Sequence, residues 1–372
     1  MRNHHFNLIF GETKMKKLLL ASVAVSGLAF AVPAAHADID LEVGGYFKGY
    51  GAFVDQDETA GTDVVGFDII RDTEIHIDGA TTLDNGLTVG AHFEFDVDQA
   101  DATAVDESYV YFSGDWGRVN FGGEDGAAYL LQVAAPSADS NIDGIRQYVS
   151  PFVTTGGLTA GAALDYDHNT AGKNDKFTYL SPIFSGFQAG LSFTPDTGNA
   201  AASFGVDTDT NAAGTPQETY ELAVRYEGQF NNVGVIAGGG YSLSSEEGSS
   251  ATTDDRNFWN LGLDLDIGPF GIGASYSEDD QGLDGTAEND IETLVIGVDY
   301  TTGPFKLGAS YLNQDFDSAT GREYDRYTGG VTYEYGPGMS FRGSIQYLDQ
   351  DNAAPTADAD GTAVLLGTQI NF

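Results

Sequence analysis

Seven residues able to ligate a metal or carry a proton fall at alternate positions in two short runs. Asp72, Glu74, His76 and Asp78 form one, and His92, Glu94 and Asp96 the other. A spacing of two puts each set on one face of a β-strand. The intervening Leu83-Asp84-Asn85-Gly86 carries a hairpin signal, so both sets should share one wall. Imidazole beside carboxylate is the chemistry of transition-metal ligation or proton exchange, which makes His76, His92 and Glu94 the candidate ligands. A histidine on a wetted pleated wall needs no ion, however, and the sequence alone assigns neither metal nor cofactor. The acidic stretches Asp254-Asp255 and Glu278-Asp279-Asp280 should gather divalent cations only loosely, since no complete twelve-residue calcium loop is present.

Catalysis finds less support. Beyond residue 37 the histidines are His76, His92 and His168, no Gly-x-Ser-x-Gly elbow occurs, and there is no cysteine. The 49 glycines sit within alternating runs and turns, not ahead of a helix as a phosphate-cradling loop requires. Carboxylates are so abundant that their pairing carries no information: 56 acids face 16 bases, a net charge of −40. A nucleic-acid partner is excluded on the same ground, because phosphates require a basic surface.

The elements that would position these residues are strands. Gly268 to Asp280 reads GPFGIGASYSEDD and Gly303 to Asp315 reads GPFKLGASYLNQD, nearly one phrase spoken twice. In the first copy Phe270, Ile272, Ala274 and Tyr276 alternate with glycine and serine; in the second Phe305, Leu307, Ala309 and Tyr311 do the same. Each copy follows another alternating run, so the repeat is a hairpin with Gly-Pro at its turn. Five further stretches have the same form, giving seven short turns, and the connections between hairpins are longer and acidic. Short turns on one side, long loops on the other and strands of about ten residues describe a transmembrane β-barrel. Its Phe, Leu, Ile, Val and Tyr would meet lipid, its Gly, Ser, Thr, Asp, Glu and Gln would line water, and Phe270, Tyr300, Phe305 and Phe341 would sit at the interface. A soluble β-protein with these residues in its core is the competing reading.

The start of the chain reads as an export signal. Lys16 and Lys17 precede an apolar run from Leu18 to Val32 and an Ala35-His36-Ala37 cleavage site, so residues 1–37 are expected to be an upstream extension plus a cleaved signal peptide. Those residues hold four bases and one acid, which leaves 12 bases against 55 acids from Asp38 to Phe372.

Several stretches resemble the general porins of Gram-negative outer membranes, most closely the alphaproteobacterial type. They are EIHIDGATTLDNGLTVG, SYVYFSGDWGRVNFGGEDGAAYLLQVAAP, KFTYLSPIFSGFQAGLSFTPD and the terminal LLGTQINF, which together span most of residues 38–372. The resemblance implies a homotrimer of barrels in outer-membrane lipid and lipopolysaccharide, passing small hydrophilic solutes by diffusion. It also implies a third external loop folded into the lumen, here from about Gly123 to about Lys173. Glu124, Asp125, Asp139 and Asp143 in that loop, with Glu74, are the candidate acidic constriction residues. Phe372 and Ile370 resemble the signal read by the barrel-assembly machinery. The family's wall arginines fall at positions held here by Glu74 and Gly123.

Strand parity places Lys48, Arg225, Lys306 and Arg342 on inward faces, and Arg118 is the basic residue nearest the missing arginines. With so few bases in a narrow aqueous pore, the field should favour cations. Sixteen strands is the preferred count. Eighteen is the alternative, because Leu158, Ala160, Ala162, Leu164 and Tyr166 also alternate and could form one more hairpin in place of an enlarged loop. A substrate-specific sugar channel, an outer-membrane hydrolase and a secreted cation-binding β-protein remain the alternative functions.

Overall fold

The structure, a computed structural model, describes residues 39–372 apart from 60, 98–103, 155–157, 159–163, 198–214, 248–251, 286–288, 318–320 and 354–357. The expected leader thus lies outside the described residues. Sixteen strands close into a single antiparallel barrel in which each pairs with its neighbours in sequence. β1 (Asp40–Gln56) pairs with β2 (Phe67–Thr82), which turns into β3 (Thr88–Asp96). Tight hairpins follow: β4 (Ala104–Gly114) with β5 (Gly117–Gly123), β6 (Asp175–Leu180) with β7 (Phe187–Thr194), and β8 (Thr215–Phe230) with β9 (Val233–Glu247). Next come β10 (Arg256–Ile267) with β11 (Phe270–Asp279), β12 (Asp290–Thr302) with β13 (Phe305–Asp317), and β14 (Arg322–Gly336) with β15 (Met339–Asp351). β16 (Ala359–Asn371) closes the barrel on β1, and the Gly45 and Phe372 backbones exchange hydrogen bonds of 3.0 and 3.1 Å at the seam. Closure satisfies every strand edge, the condition for crossing lipid with a sheet.

All seven short turns fall where the sequence signals them. At Gly268-Pro269 and Gly303-Pro304 the glycines take φ of 62° and 54°, the positive value a type II′ turn requires at its first central residue, and proline follows with its fixed negative φ. Asn231 and Asn232 both adopt positive φ, the type I′ solution. The segment that suggests an eighteen-strand barrel forms no strand in its described residues; it belongs to the connection between β5 and β6, with Ala160 and Ala162 outside the description.

The two faces sort by parity. Along β11, Phe270 and Ile272 point outward and are exposed, while Ser275, Ser277 and Asp279 point inward and are buried. Outward aromatics meet across strands: Phe270 with Tyr300 at 4.9 Å between ring centroids and Phe305 with Tyr333 at 4.8 Å, beside the short turns. Such cross-strand pairs stabilise a sheet and suit a girdle at the lipid surface.

The inward face departs from the sequence expectation. Tyr50, Val295, Leu312, Tyr324, Leu348 and Leu365 occupy positions that should line water, yet all are buried. They pack against Ile142, Val149, Phe152, Leu158, Leu164 and Tyr166 of the β5–β6 connection, whose described residues between 124 and 174 fold against the inner wall. At about 1.5–3 kcal/mol for each large side chain removed from water, this internal core is a major force holding the connection against the wall.

Glycines on β7 and on β10 to β13 provide the bed on which that connection lies. Its first part, with α1 (Ala127–Leu130), runs along the wall toward α2 (Ser140–Asp143). A methyl group on Gly190 of β7 would come within 3.0 Å of Ala127 Cβ, one on Gly262 of β10 within 2.7 Å of Val133 Cβ, and one on Gly273 of β11 within 2.8 Å of Pro136 Cδ. On Gly297 of β12 it would strike the Pro136 carbonyl, and on Gly308 of β13 it would lie 2.9 Å from the Ser137 carbonyl carbon. Glycine in a strand often marks the close approach of another backbone, and here a row of them admits the loop.

Candidate functional site

The narrowed lumen is built from the inner loop and the wall it leaves uncovered. Polar clamps reinforce the loop's apolar core. Asp139 caps α2, accepting from the Asn141 N–H at 3.1 Å; it also accepts from the Tyr50 hydroxyl at 2.8 Å and from Arg342 at 2.5 Å. Asp143 accepts from Ser310 at 2.7 Å, and Thr332 donates to the Ala138 carbonyl at 2.8 Å. Arg225 donates to the Gln132 carbonyl at 2.9 Å and Arg326 to the Leu164 carbonyl at 3.3 Å. At the loop's return Lys176 donates to the carbonyls of Glu124, Gly172 and Asn174, and Lys173 pairs with Asp106 and, at 3.5 Å, with Glu107.

Glu124, Asp125, Asp139 and Asp143, expected to line the aperture, have at most 5% of their surface exposed. Asp139 and Asp143 are tied to the wall as described, and Glu124 accepts from Asn120 at 2.7 Å. Of the expected wall bases, Arg342 and Arg225 hold the loop, Lys306 pairs with Asp299 at 3.1 Å, and Arg118 donates to Asn120 and lies 3.9 Å over the Tyr111 ring. Lys48 pairs with Asp72 at 3.3 Å, with its ammonium against the faces of Tyr46 and Tyr148.

The remaining wall is acidic. β2 and β3 pair so that His76 opposes Glu94 and Asp78 opposes His92, as the alternation predicts. Glu107 on β4 opposes Glu94, and a bulge that inserts Asp106 between paired positions sets this register. Sequence reasoning missed Glu107 and Lys173; the alternation of Glu107 with Tyr109 and Tyr111 was the available signal. Asp72, Glu74, Asp78, Glu94 and Glu107 thus gather on adjoining strands.

Burial governs the loop carboxyls. It pushes Glu124 up to about 7, Asp143 up to about 6 and Asp167 up to about 7, and raises Asp125 in the same direction. Burial also lowers His168 to about 3, so this residue stays neutral where it bonds Ser242 at 2.8 Å and Asn260 at 2.6 Å. The raised acids hold protons in the folded state that the unfolded chain has already lost, so their contribution to stability falls as pH rises from the ordinary carboxylate range to about 7. We expect Glu124→Gln to flatten the pH dependence of the unfolding temperature between pH 5 and 8. A dependence as steep as in the parent protein would contradict that assignment.

A closed antiparallel barrel with an apolar exterior, a charged interior and a loop folded into its lumen is a membrane pore. A family model described as Gram-negative porin matches residues 21–353, and the chain belongs to that family. It is therefore an outer-membrane channel protein of the general-porin type. Among solved structures it is similar to the anion-selective porin from Comamonas acidovorans, with 18% identity, a TM-score of 0.64, and coverage of 90% of this chain and 100% of that one. It is also similar to a loop-deletion form of the outer membrane protein OmpT of Vibrio cholerae (17%, TM-score 0.58, 90% and 99% covered) and to a variant of Rh. blastica porin (19%, TM-score 0.55, 90% and 100% covered). At these identities the likeness establishes the fold. Among curated proteins there is no match.

Proposed function

We propose that the protein is a homotrimeric diffusion pore for small hydrophilic solutes with a preference for cations, delivered to the outer membrane after removal of residues 1–37. One observation supports the ion preference: the lumen bases are engaged, and on the β2–β4 wall carboxylates outnumber the lysines. Lys48, Lys306 and Arg342 each face a carboxylate, and Arg225 and Arg326 point at loop carbonyls. Asp72, Glu74, Asp78, Glu94 and Glu107 share the β2–β4 wall with Lys48 and Lys173 as their cationic neighbours. A negative field in a low-dielectric bore concentrates cations, and salt weakens it over a Debye length of about 8 Å at physiological ionic strength.

A sugar-specific channel would need aromatic rings free along the lumen. Tyr50, Tyr109, Tyr166 and Tyr324 are buried instead, which favours unspecific diffusion. Phe372 and Ile370 point outward at the end of β16, where the barrel-assembly machinery could read them, and the outer surface suits lipid and lipopolysaccharide. Liposome swelling with sugars of rising mass tests the solute reading. Rates should fall smoothly with size and show no saturation; a rate that saturates for one sugar would favour the substrate-specific channel.

A further inference from the structure

We propose that the lumen wall carries a site for one divalent transition-metal ion of the zinc class, with Glu94 as the shared carboxylate and a single imidazole as the nitrogen ligand, His76 in the set with Glu74 or His92 in the set with Glu107. This goes beyond the ion-preference reading, because it asks for a bound ion and not merely an attracted one. Two sets of ligand atoms converge within 4.8 Å among themselves, Glu74–His76–Glu94 and His92–Glu94–Glu107, and Glu94 is common to both.

The spacings suit a small ion. His76 Nε2 lies 3.0 Å from Glu74 Oε2 and 3.7 Å from Glu94 Oε1, and His92 Nε2 lies 2.9 Å from the same Glu94 oxygen. Zinc bonds of about 2.0–2.2 Å in a tetrahedron put neighbouring ligand atoms about 3.3–3.5 Å apart, so within either set small side-chain adjustments bring the pairs to that spacing. The ion would take the place of the direct contact between imidazole nitrogen and Glu94. His92 is also oriented from behind: its Nδ1 bonds Asp78 Oδ1 at 2.6 Å, the carboxylate support that fixes a ligating histidine's tautomer and aims Nε2 at the metal.

Access and rigidity favour the same place. His76 retains 26% side-chain exposure to the lumen, whereas His92 is nearly enclosed against Tyr109, with ring centroids 5.1 Å apart. The ligands stand on paired strands, so their separation is set by the sheet. Lys173 draws on Glu107 from the loop side, which leaves Glu94 as the shared anion. Loosely gathered cations would not distinguish magnesium from zinc by much, but an imidazole ligand does, because magnesium and calcium prefer oxygen.

Isothermal titration calorimetry on the folded, detergent-extracted protein tests the site. Zn²⁺ should bind at one equivalent per chain, at least about tenfold more tightly than Mg²⁺ or Ca²⁺. His76→Ala/His92→Ala should abolish that preference, and Glu94→Gln, which keeps the side chain's shape, should weaken Zn²⁺ binding at least about tenfold. Zinc binding unchanged in the double variant, or magnesium binding as tightly as zinc, overturns the proposal. Calorimetry needs no ion flow, so a failed metal site and a failed pore give separate results.

Discussion

Replacing Gly297 by valine is expected to force the inner loop away from the wall and widen the pore. The new Cβ would meet the Pro136 carbonyl oxygen directly, with the carbonyl carbon at 2.9 Å and the ring nitrogen at 3.2 Å. Both partners are backbone, so neither can swing aside as a long side chain would. Overpacking of this kind costs typically about 1–3 kcal/mol, here charged to the seat of the loop rather than to the barrel ladder. Single-channel conductance should rise while the barrel still migrates as a folded species on unheated gels. Gly336→Ala is the control, because nothing lies within 4 Å of the added methyl and its φ is not positive. An unchanged conductance in the Gly297 variant would mean that the loop does not limit flow.

Asp139→Ala should have a comparable effect by another route. The carboxylate caps α2, accepts from Tyr50 and pairs with Arg342; Asp139 and Tyr50 are out of contact with water and the Arg342 side chain is 12% exposed. Removing one partner of a buried pair strands the other, at a cost of about 3–5 kcal/mol. The loop should loosen, and the released Arg342 charge should reduce cation preference. Asp139→Ala combined with Arg342→Met should restore much of the lost stability, since no charge is then stranded, and the difference between the double and single variants measures the coupling. If Asp139→Ala leaves the unfolding temperature and the reversal potential unchanged, the clamp has no role.

The barrel was readable in the sequence because its signals are local. Gly268-Pro269 and Gly303-Pro304 fix turns through φ, and Phe270, Ile272, Phe305 and Leu307 mark one face by parity alone. The ladder from Asp72 to Asp96 was also legible, since strand spacing and one turn suffice to bring His76 opposite Glu94.

The interior was not legible in the same way. Leu312 and Leu365 sit on a face that parity assigns to water, and only the loop lying over them explains their type. The glycines at 262, 273, 297 and 308 read as ordinary strand residues until the backbone of Val133, Pro136 and Ser137 is placed against them. Asp139 and Asp143 are acids in an acidic loop, and nothing nearby in sequence announces that Arg342 and Ser310 wait on strands far along the chain. Long-range pairing of this kind has no period to detect.

The measurement that bears most directly on an acid-walled pore is the zero-current potential of the purified protein in a planar bilayer across a potassium chloride gradient. We expect discrete conductance steps and a potential whose sign shows potassium passing faster than chloride, shrinking as total salt rises. A potential of the opposite sign would contradict the assignment of the excess carboxylates to the conducting path.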